Sequence, residues 1–310
     1  MAKYNIYFGT YSKGEGNGLF RGVFDGDSGG IKLNDTVDIS DPEKMRLIDI
    51  KPTHGKHPCH LCVKDDFAFA ANYSGGSLSI FETDKAGGIK LSNQSIHHFG
   101  KGVNPGRQEA SHIHFAAMTP DNKYLAVCDL GLDKVFLYPY SRETGLSTNA
   151  KIIDCPPGKG PRHLTFSNDG KYLYVVTEMG GTVLAYKYNG GDVELLQEIS
   201  TLPSDFTGKS TCAAIHVSPY GKYLGASNRG HDSIAIFKIQ DNGELAFLSH
   251  IMTGKEPRDF RFSPDGKFIL SANQNDDTVT VYKIKNDKFT QTNSVSLPKP
   301  VCILFGEEIK

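Results

Sequence analysis

The clearest hydrophobic pattern in the chain begins at Pro161. Arg162-His163-Leu164-Thr165-Phe166 reads as a short strand that ends at the turn Asn168-Asp169-Gly170. Lys171-Tyr172-Leu173-Tyr174-Val175-Val176 follows as a continuous apolar, β-branched run, the pattern of a strand buried on both faces. After Met179-Gly180-Gly181 comes an alternating strand over Thr182–Tyr188. Asn189-Gly190-Gly191 then signals a hairpin into a fourth, more polar strand, Glu194–Ile199.

The same order recurs near Ile113, Ala214 and Pro257, and more loosely near Pro58. Alternating third strands are expected at Ser77–Phe81, Lys134–Tyr138, Ser233–Phe237 and Thr278–Tyr282. Four units superimpose without gaps around the turns at Thr119, Ser167, Ser218 and Ser263, which lie 48, 51 and 45 residues apart. Four short strands on such a period, with Gly/Asn/Asp turns, predict an all-β chain: a β-propeller of four-stranded blades in one domain, residues 1–310. Five blades are internal. A sixth is closed by Val301–Phe305 joining Tyr4–Thr10 and Leu19–Phe24, which removes the exposed edges of an open array. Between Phe24 and Pro58, both Ile31–Ile39 and Met45–Lys51 read as strands, one more than a sixth blade needs.

Composition narrows the class. With 34 Lys+Arg against 35 Asp+Glu and no long run of one sign, neither a nucleic-acid partner nor a polybasic membrane anchor is expected. No apolar stretch approaches the roughly 20 residues that span a bilayer, and Met1–Tyr7 lacks a signal-peptide core. The six cysteines are scattered through strand-like segments, the usage of a reducing compartment. A soluble, cytoplasmic protein is expected.

A propeller carries distant residues to one rim, so chemistry is sought where a repeat position varies. The start of the first strand and the end of the second lie on the same face. At the first position stand His114, Arg162, Ala213 and Arg258; at the second stand Leu130, Glu178, Arg229 and Gln274. One residue earlier the register reads Asp129, Thr177, Asn228 and Asn273, small polar side chains suited to the same turn-tying job each time. A position that holds Glu in one unit and Arg in another does no single shared job. Buried charges there are costly unless paired or awaiting a ligand. His114, Arg162, Glu178 and Arg229 are therefore the catalytic candidates, with a structural ion-pair network as the alternative.

Asn72–Ser77, Asn104-Pro105-Gly106-Arg107-Gln108-Glu109-Ala110-Ser111-His112-Ile113-His114, Gly160–His163, Ile215–Pro219 and Ser227–Ser233 together resemble the lactonase/carboxymuconate-cyclase family. The likeness runs in order over nearly the whole chain. It implies a seven-bladed propeller and places the family's catalytic or substrate-contacting positions on the same four residues. The interval before the Pro58–Phe81 blade is about one blade's core strands shorter than the family pattern.

The resemblance implies a metal-independent lactone hydrolase, with 6-phosphogluconolactone of the pentose phosphate route as substrate. Hydrolysis of such an ester needs an activated water, positive charge for the oxyanion and an anchor for an anionic group. Arg162 and Arg229 suit the last two because a guanidinium fork meets an oxyanion bidentately. His114 or Glu178 takes the water proton; a glutamate flanked by two arginines is held ionised and serves as acceptor. His163, His216, Asn228 and Gln274 are candidates for hydroxyl contacts or orientation, with rim polarity or turn support as the alternative. No cofactor is expected, and no metal: His112 and His114 share a strand face without a matching carboxylate cluster, and Cys59-x-x-Cys62 has no second pair. A carboxymuconate-type lactonizing cycloisomerase and a non-catalytic interaction propeller remain as alternatives, the latter disfavoured by the absence of tryptophan.

Overall fold

The computed structural model describes residues 2–11, 18–36 and 48–309, and every regular element in them is a strand. In chain order, β1 (Lys3–Thr10), β2 (Leu19–Asp25) and β3 (Ile31–Thr36) open a meander. The second sheet is β4 (Pro58–Lys64), β5 (Phe67–Asn72), β6 (Ser77–Thr83) and β7 (Ile89–His97). The third is β8 (Ile113–Met118), β9 (Tyr124–Asp129) and β10 (Lys134–Ser141), whose outer edge is shared by two short strands, β11 (Gly145–Leu146) and β12 (Lys151–Asp154). Then come β13 (Pro161–Phe166), β14 (Tyr172–Thr177), β15 (Thr182–Asn189) and β16 (Asp192–Ser200); β17 (Thr211–Val217), β18 (Tyr223–Arg229), β19 (Ser233–Ile239) and β20 (Leu245–Met252); and β21 (Pro257–Phe262), β22 (Phe268–Asn273), β23 (Thr278–Lys285) and β24 (Lys288–Ser296). Finally β25 (Pro300–Ile309) pairs with β1, so both ends of the chain share the sheet β25-β1-β2-β3. All pairings are antiparallel.

This is the blade organisation that the periodicity predicts. Of the further strand expected at Met45–Lys51, residues 48–51 are not in a strand, and residues 45–47, like 37–39 of the Ile31–Ile39 run, lie outside the described residues. Isoleucines at 48 and 50 are apolar enough to suggest a strand, yet both are exposed and, among the described residues, no strand pairs with them.

The chain divides into two compact units. One comprises residues 1–47 and 201–310, and the other residues 48–200. In the second unit the buried faces of β4–β7 and β8–β11 meet around Phe69, Leu78, Ile113, Leu125 and Tyr138. The β8–β12 and β13–β16 sheets meet around Val135, Leu137, Leu173, Leu184 and Tyr186. In the first unit Ile234, Ile236, Phe260 and Tyr282 join β17–β20 to β21–β24, and Phe8, Phe24, Phe268 and Ile303 join β21–β24 to the terminal sheet. Each strand contributes alternate residues to successive interfaces, the reason the second strands read as unbroken apolar runs.

Repeated polar contacts set the register. In the turns, the Thr119, Ser167 and Ser263 hydroxyls donate to Asp121, Asp169 and Asp265, each over 2.6 Å, and accept the amide of the residue five positions on. At the far end of the second strands, Asn72, Asn228 and Asn273 donate from Nδ2 to the hydroxyls of Ser77, Ser233 and Thr278, again five positions on. Thr177 and Thr182 make the equivalent contact at 2.9 Å. Short side chains of this kind close the hairpin without leaving buried donors unmet.

Candidate active site

Each innermost strand carries a register shift at the same place. On β8 it falls between Ile113 and Phe115, so His114 has no partner on β9. On β13 it falls between Pro161 and His163, so Arg162 is the extra residue. On β4 the extra residue is Cys59; in the first unit it is Arg258 on β21, Val301 on β25 and one of Ala213 and Ala214 on β17. A β-bulge kinks the strand and re-aims the side chain it adds. The variable first position of the sequence repeat is therefore a bulge position.

The second position is fixed by one recurrent backbone bond. The amides of Tyr73, Leu130, Glu178 and Gln274 donate to the carbonyls of His57, His112, Gly160 and Glu256, each the residue just before the inner strand of the same sheet. At Glu178 the bond measures 2.7 Å. The loop it meets is pinned in turn by Asp133, whose carboxylate accepts from Gly158 at 2.7 Å and Gly160 at 2.8 Å. Gly160 has φ +65, a backbone state that other residues reach only with strain, and a Cβ there would press on Leu130 and Met179. Asp133, Gly160 and Pro161 together deliver Arg162 opposite Glu178.

Within the second unit this geometry brings together His114, Arg162, His163 and Glu178. Arg162 is only 2% exposed, and its Nε lies 2.9 Å from Glu178 Oε2. Its Nη1 is 3.1 Å from His163 Nε2. The His163 ring centroid lies 5.1 Å from that of His114 and 4.6 Å from that of Phe115. His114, buried, presents its ring edge-on to Tyr73 at 5.6 Å. The second arginine on Glu178 is Arg107, which donates from Nη2 to Oε1 and reaches Tyr73 Oη at 3.4 Å. Partial burial works against the Arg107 charge, but the bonds to Tyr73 and Glu178 and the carboxylate's charge more than reverse this and hold it above the ordinary arginine value.

Sequence reasoning missed Arg107 and Tyr73 as site residues. Tyr73 occupies the Glu178 register in the β4–β7 sheet and was legible there. Arg107 depends on the fold of the loop before β8, which no periodicity describes. That loop is fixed by the buried Gln108, whose Nε2 donates to the Leu130 carbonyl at 2.9 Å and whose Oε1 accepts from the Asn104 amide at 3.0 Å. His112 stacks on Tyr73 at 4.5 Å and bonds Glu109, so it steadies the tyrosine.

Arg229, His216, Asn228 and Gln274 belong to the first unit. Arg229 donates from Nη2 to the Cys212 carbonyl at 3.0 Å. Gln274 accepts from Arg258 at 3.3 Å, and Arg258 also lies over the Tyr11 ring. Asn228 is fully buried, donating to the Thr201 carbonyl and the Ser233 hydroxyl and accepting from the Thr201 hydroxyl at 2.7 Å. These bonds occupy its amide within the hairpin. His216 bonds Asp259 at 3.1 Å and Arg261 at 3.2 Å. Burial, with the Arg261 charge adding to it, pulls the imidazole down to about 4. Among the described residues no group of three or more His, Cys, Asp or Glu side chains converges as a metal site.

The site that the second unit defines is a bulge-borne cationic cluster around one carboxylate, with two imidazoles beside it, on a β-propeller. The sequence matches the family described as "Lactonase, 7-bladed beta-propeller" over residues 35–305, and the chain belongs to that family. It is 33% identical to the 6-phosphogluconolactonase of Bacillus subtilis (strain 168), over all of both chains. That alignment runs to 352 positions against a chain of 310, so at least 42 positions of the relative have no counterpart here, close to the chain's own repeat length. Among solved structures, a Bacteroides fragilis protein provisionally named 6-phosphogluconolactonase superposes with a TM-score of 0.92 at 29% identity, covering 98% of each chain. The periplasmic gluconolactonase of Pseudomonas aeruginosa superposes with a TM-score of 0.88 at 31% identity, covering 98% of this chain and 99% of that one. Six sheets, with five of them four-stranded and the sixth ending in two short strands, are thus described for a chain whose family carries seven blades.

Proposed function

We propose that this chain hydrolyses a phosphorylated sugar lactone, 6-phosphogluconolactone, to the open acid. The observation that carries the reading is the Glu178 carboxylate held between Arg162 and Arg107, beside the imidazoles of His163 and His114. Names of relatives at 33% and 31% identity support the same reaction class.

Each Glu178 oxygen accepts from a guanidinium, so placing a proton there would cost two charge-assisted bonds. His114 is the better base. It takes a proton from water as the oxygen attacks the lactone carbonyl. Arg162, oriented by Glu178, faces the oxyanion of the tetrahedral adduct. As the ring C–O bond breaks, the His114 imidazolium returns the proton to the departing alkoxide, and the acid leaves with one water added. His163 orients the Arg162 fork. Arg229 enters the reading from its register position alone, as a further anion-binding guanidinium.

Two finer points belong to the same reading. The family match supports one propeller domain over residues 1–310. The six cysteines are all free thiols, which favours a cytoplasmic site of action, although one relative is named as periplasmic. Among the described residues no helix is long and apolar enough to cross a membrane.

The test is hydrolysis of 6-phosphogluconolactone followed by NMR or pH-stat, with and without chelator, against the spontaneous rate. Enhancement that survives chelation and collapses in Arg162→Ala supports the proposal. A rate equal to the spontaneous one refutes it. Preference for a lactone bearing several carboxylates would instead identify the cycloisomerase class.

A further inference from the structure

Arg107 has a feature that the hydrolytic roles above do not use. Both of its hydrogen bonds leave from Nη2, to Glu178 and to Tyr73. Its Nε and Nη1 donors have no protein acceptor among the described residues, and its side chain is 42% exposed. The backbone beneath it is rigidly set. The Arg107 and Gln108 amides both donate to the Asn104 carbonyl, at 3.2 and 2.7 Å, the Gly106 amide donates to Asn104 Oδ1 at 3.1 Å, and Gln108 is buried. The guanidinium is thus held through Nη2 on a fixed stem, with its Nε and Nη1 donors open.

We infer that Arg107 is the specificity-determining residue that takes the phosphate monoester of the substrate on these open donors. The inference rests on the lactonase reading and deepens it. Exposure sets the orientation: on opposite oxygens of one carboxylate, Arg162 is 2% exposed and Arg107 is 42% exposed. A dianionic phosphate costs more to desolvate than a neutral lactone ring. The ring therefore travels to the buried guanidinium and its imidazoles, and the phosphate stays at the exposed one. Nη1 keeps both of its hydrogens for a charge-assisted bond to a phosphate oxygen. Among Arg107, Arg162 and Glu178 the formal charge sums to a single positive surplus, which suits an anionic substrate.

Steady-state kinetics on 6-phosphogluconolactone and on unphosphorylated gluconolactone test this, with wild type, Arg107→Lys and Arg107→Gln. Losing a charge-assisted hydrogen bond is expected to lower the phosphorylated-to-unphosphorylated ratio of kcat/KM by about 10- to 100-fold in R107Q, mainly through KM. R107K, which keeps the charge, is expected to lie between. A parallel loss on both substrates would mean that Arg107 acts only through Glu178, and would overturn the inference. So would an unchanged ratio, or a wild type indifferent to the phosphate, either of which leaves the lactonase reading standing. If wild type hydrolyses neither lactone, that reading fails on its own. Calorimetric titration with 6-phosphogluconate then decides the inference: at least about tenfold weaker binding in R107Q upholds it, and equal binding sinks it.

Discussion

Arg162 and Glu178 meet across a β-bulge with Nε 2.9 Å from Oε2, and in the other unit Arg258 and Gln274 repeat the arrangement in the same register with Nη1 3.3 Å from Oε1. One backbone device serves both pairs: a bulge residue on the inner strand faces the residue that follows the second strand. What differs is chemistry. The carboxylate of Glu178 neutralises a buried guanidinium and engages a second one, whereas the amide of Gln274 carries no charge. The repeat supplies the position, and substitution within it supplies the charge.

Removing one member of the buried pair is expected to expose this difference. Glu178→Ala strands Arg162 without its counter-ion and is expected to lower unfolding free energy by about 3–5 kcal/mol. Glu178→Gln, which keeps an acceptor, is expected to cost clearly less. Urea unfolding of both variants, followed by fluorescence, reads the gap. Equal destabilisation would show that the charge of Glu178 does not hold Arg162 in place.

Much of this architecture was legible in the sequence. The turn at Ser167-Asn168-Asp169-Gly170 and the run Tyr172–Val176 fixed the register of one blade, and gapless superposition carried it to the others. Arg162 and Glu178 followed from contrast between units at a shared position. The misleading elements lacked that support. Ile48 and Ile50 look like strand residues, but among the described residues no strand pairs with them and both are exposed. Arg107 was invisible because the loop before β8 is built by Asn104 and Gln108 side chains and not by periodicity. The β4 strand shows the same limit: Leu61 and Val63 are apolar, yet they are 66% and 68% exposed. Local pattern reports apolarity, whereas burial depends on what packs opposite.

His114 is expected to carry the proton. His114→Asn should lower kcat by about 10²- to 10⁴-fold with KM little changed, the usual range for loss of a general base. Its pH–rate profile should lose the limb that in wild type falls as the imidazole protonates. Retention of that limb in the variant would assign the base elsewhere, with Glu178 the next residue to test.

The buried asparagines should behave as hairpin fasteners. Asn273 is fully buried and its Nδ2 donates to the Thr278 and Thr280 hydroxyls at 3.1 and 2.9 Å, while its Oδ1 accepts from Ser271 at 2.7 Å. Asn273→Ala leaves those hydroxyls unmet and is expected to cost about 1–3 kcal/mol. Lactone hydrolysis per folded molecule should hold at the wild-type level. Thermal unfolding and a specific-activity measurement below the transition check both halves; lost activity with unchanged stability would contradict the assignment.

His216 makes stability depend on pH in a defined window. Its imidazole titrates at about 4 in the folded chain, against an ordinary value near 6.5, because it is buried and faces the Arg261 guanidinium, with Asp259 only partly compensating. Between those values the unfolded chain binds a proton that the folded chain refuses, so this group's contribution is full above pH 6.5 and is lost as pH falls toward 4. The neighbouring Asp259 is also depressed: burial alone would raise it, but Arg261, His216 and the Ile303 amide outweigh that. Its stabilising effect therefore disappears only at more acid pH, below the His216 window. The melting temperature of wild type is expected to drop between pH 6.5 and 4.5 more steeply than that of His216→Gln, which has no proton to gain. Parallel curves for the two proteins would place the acid sensitivity in other groups.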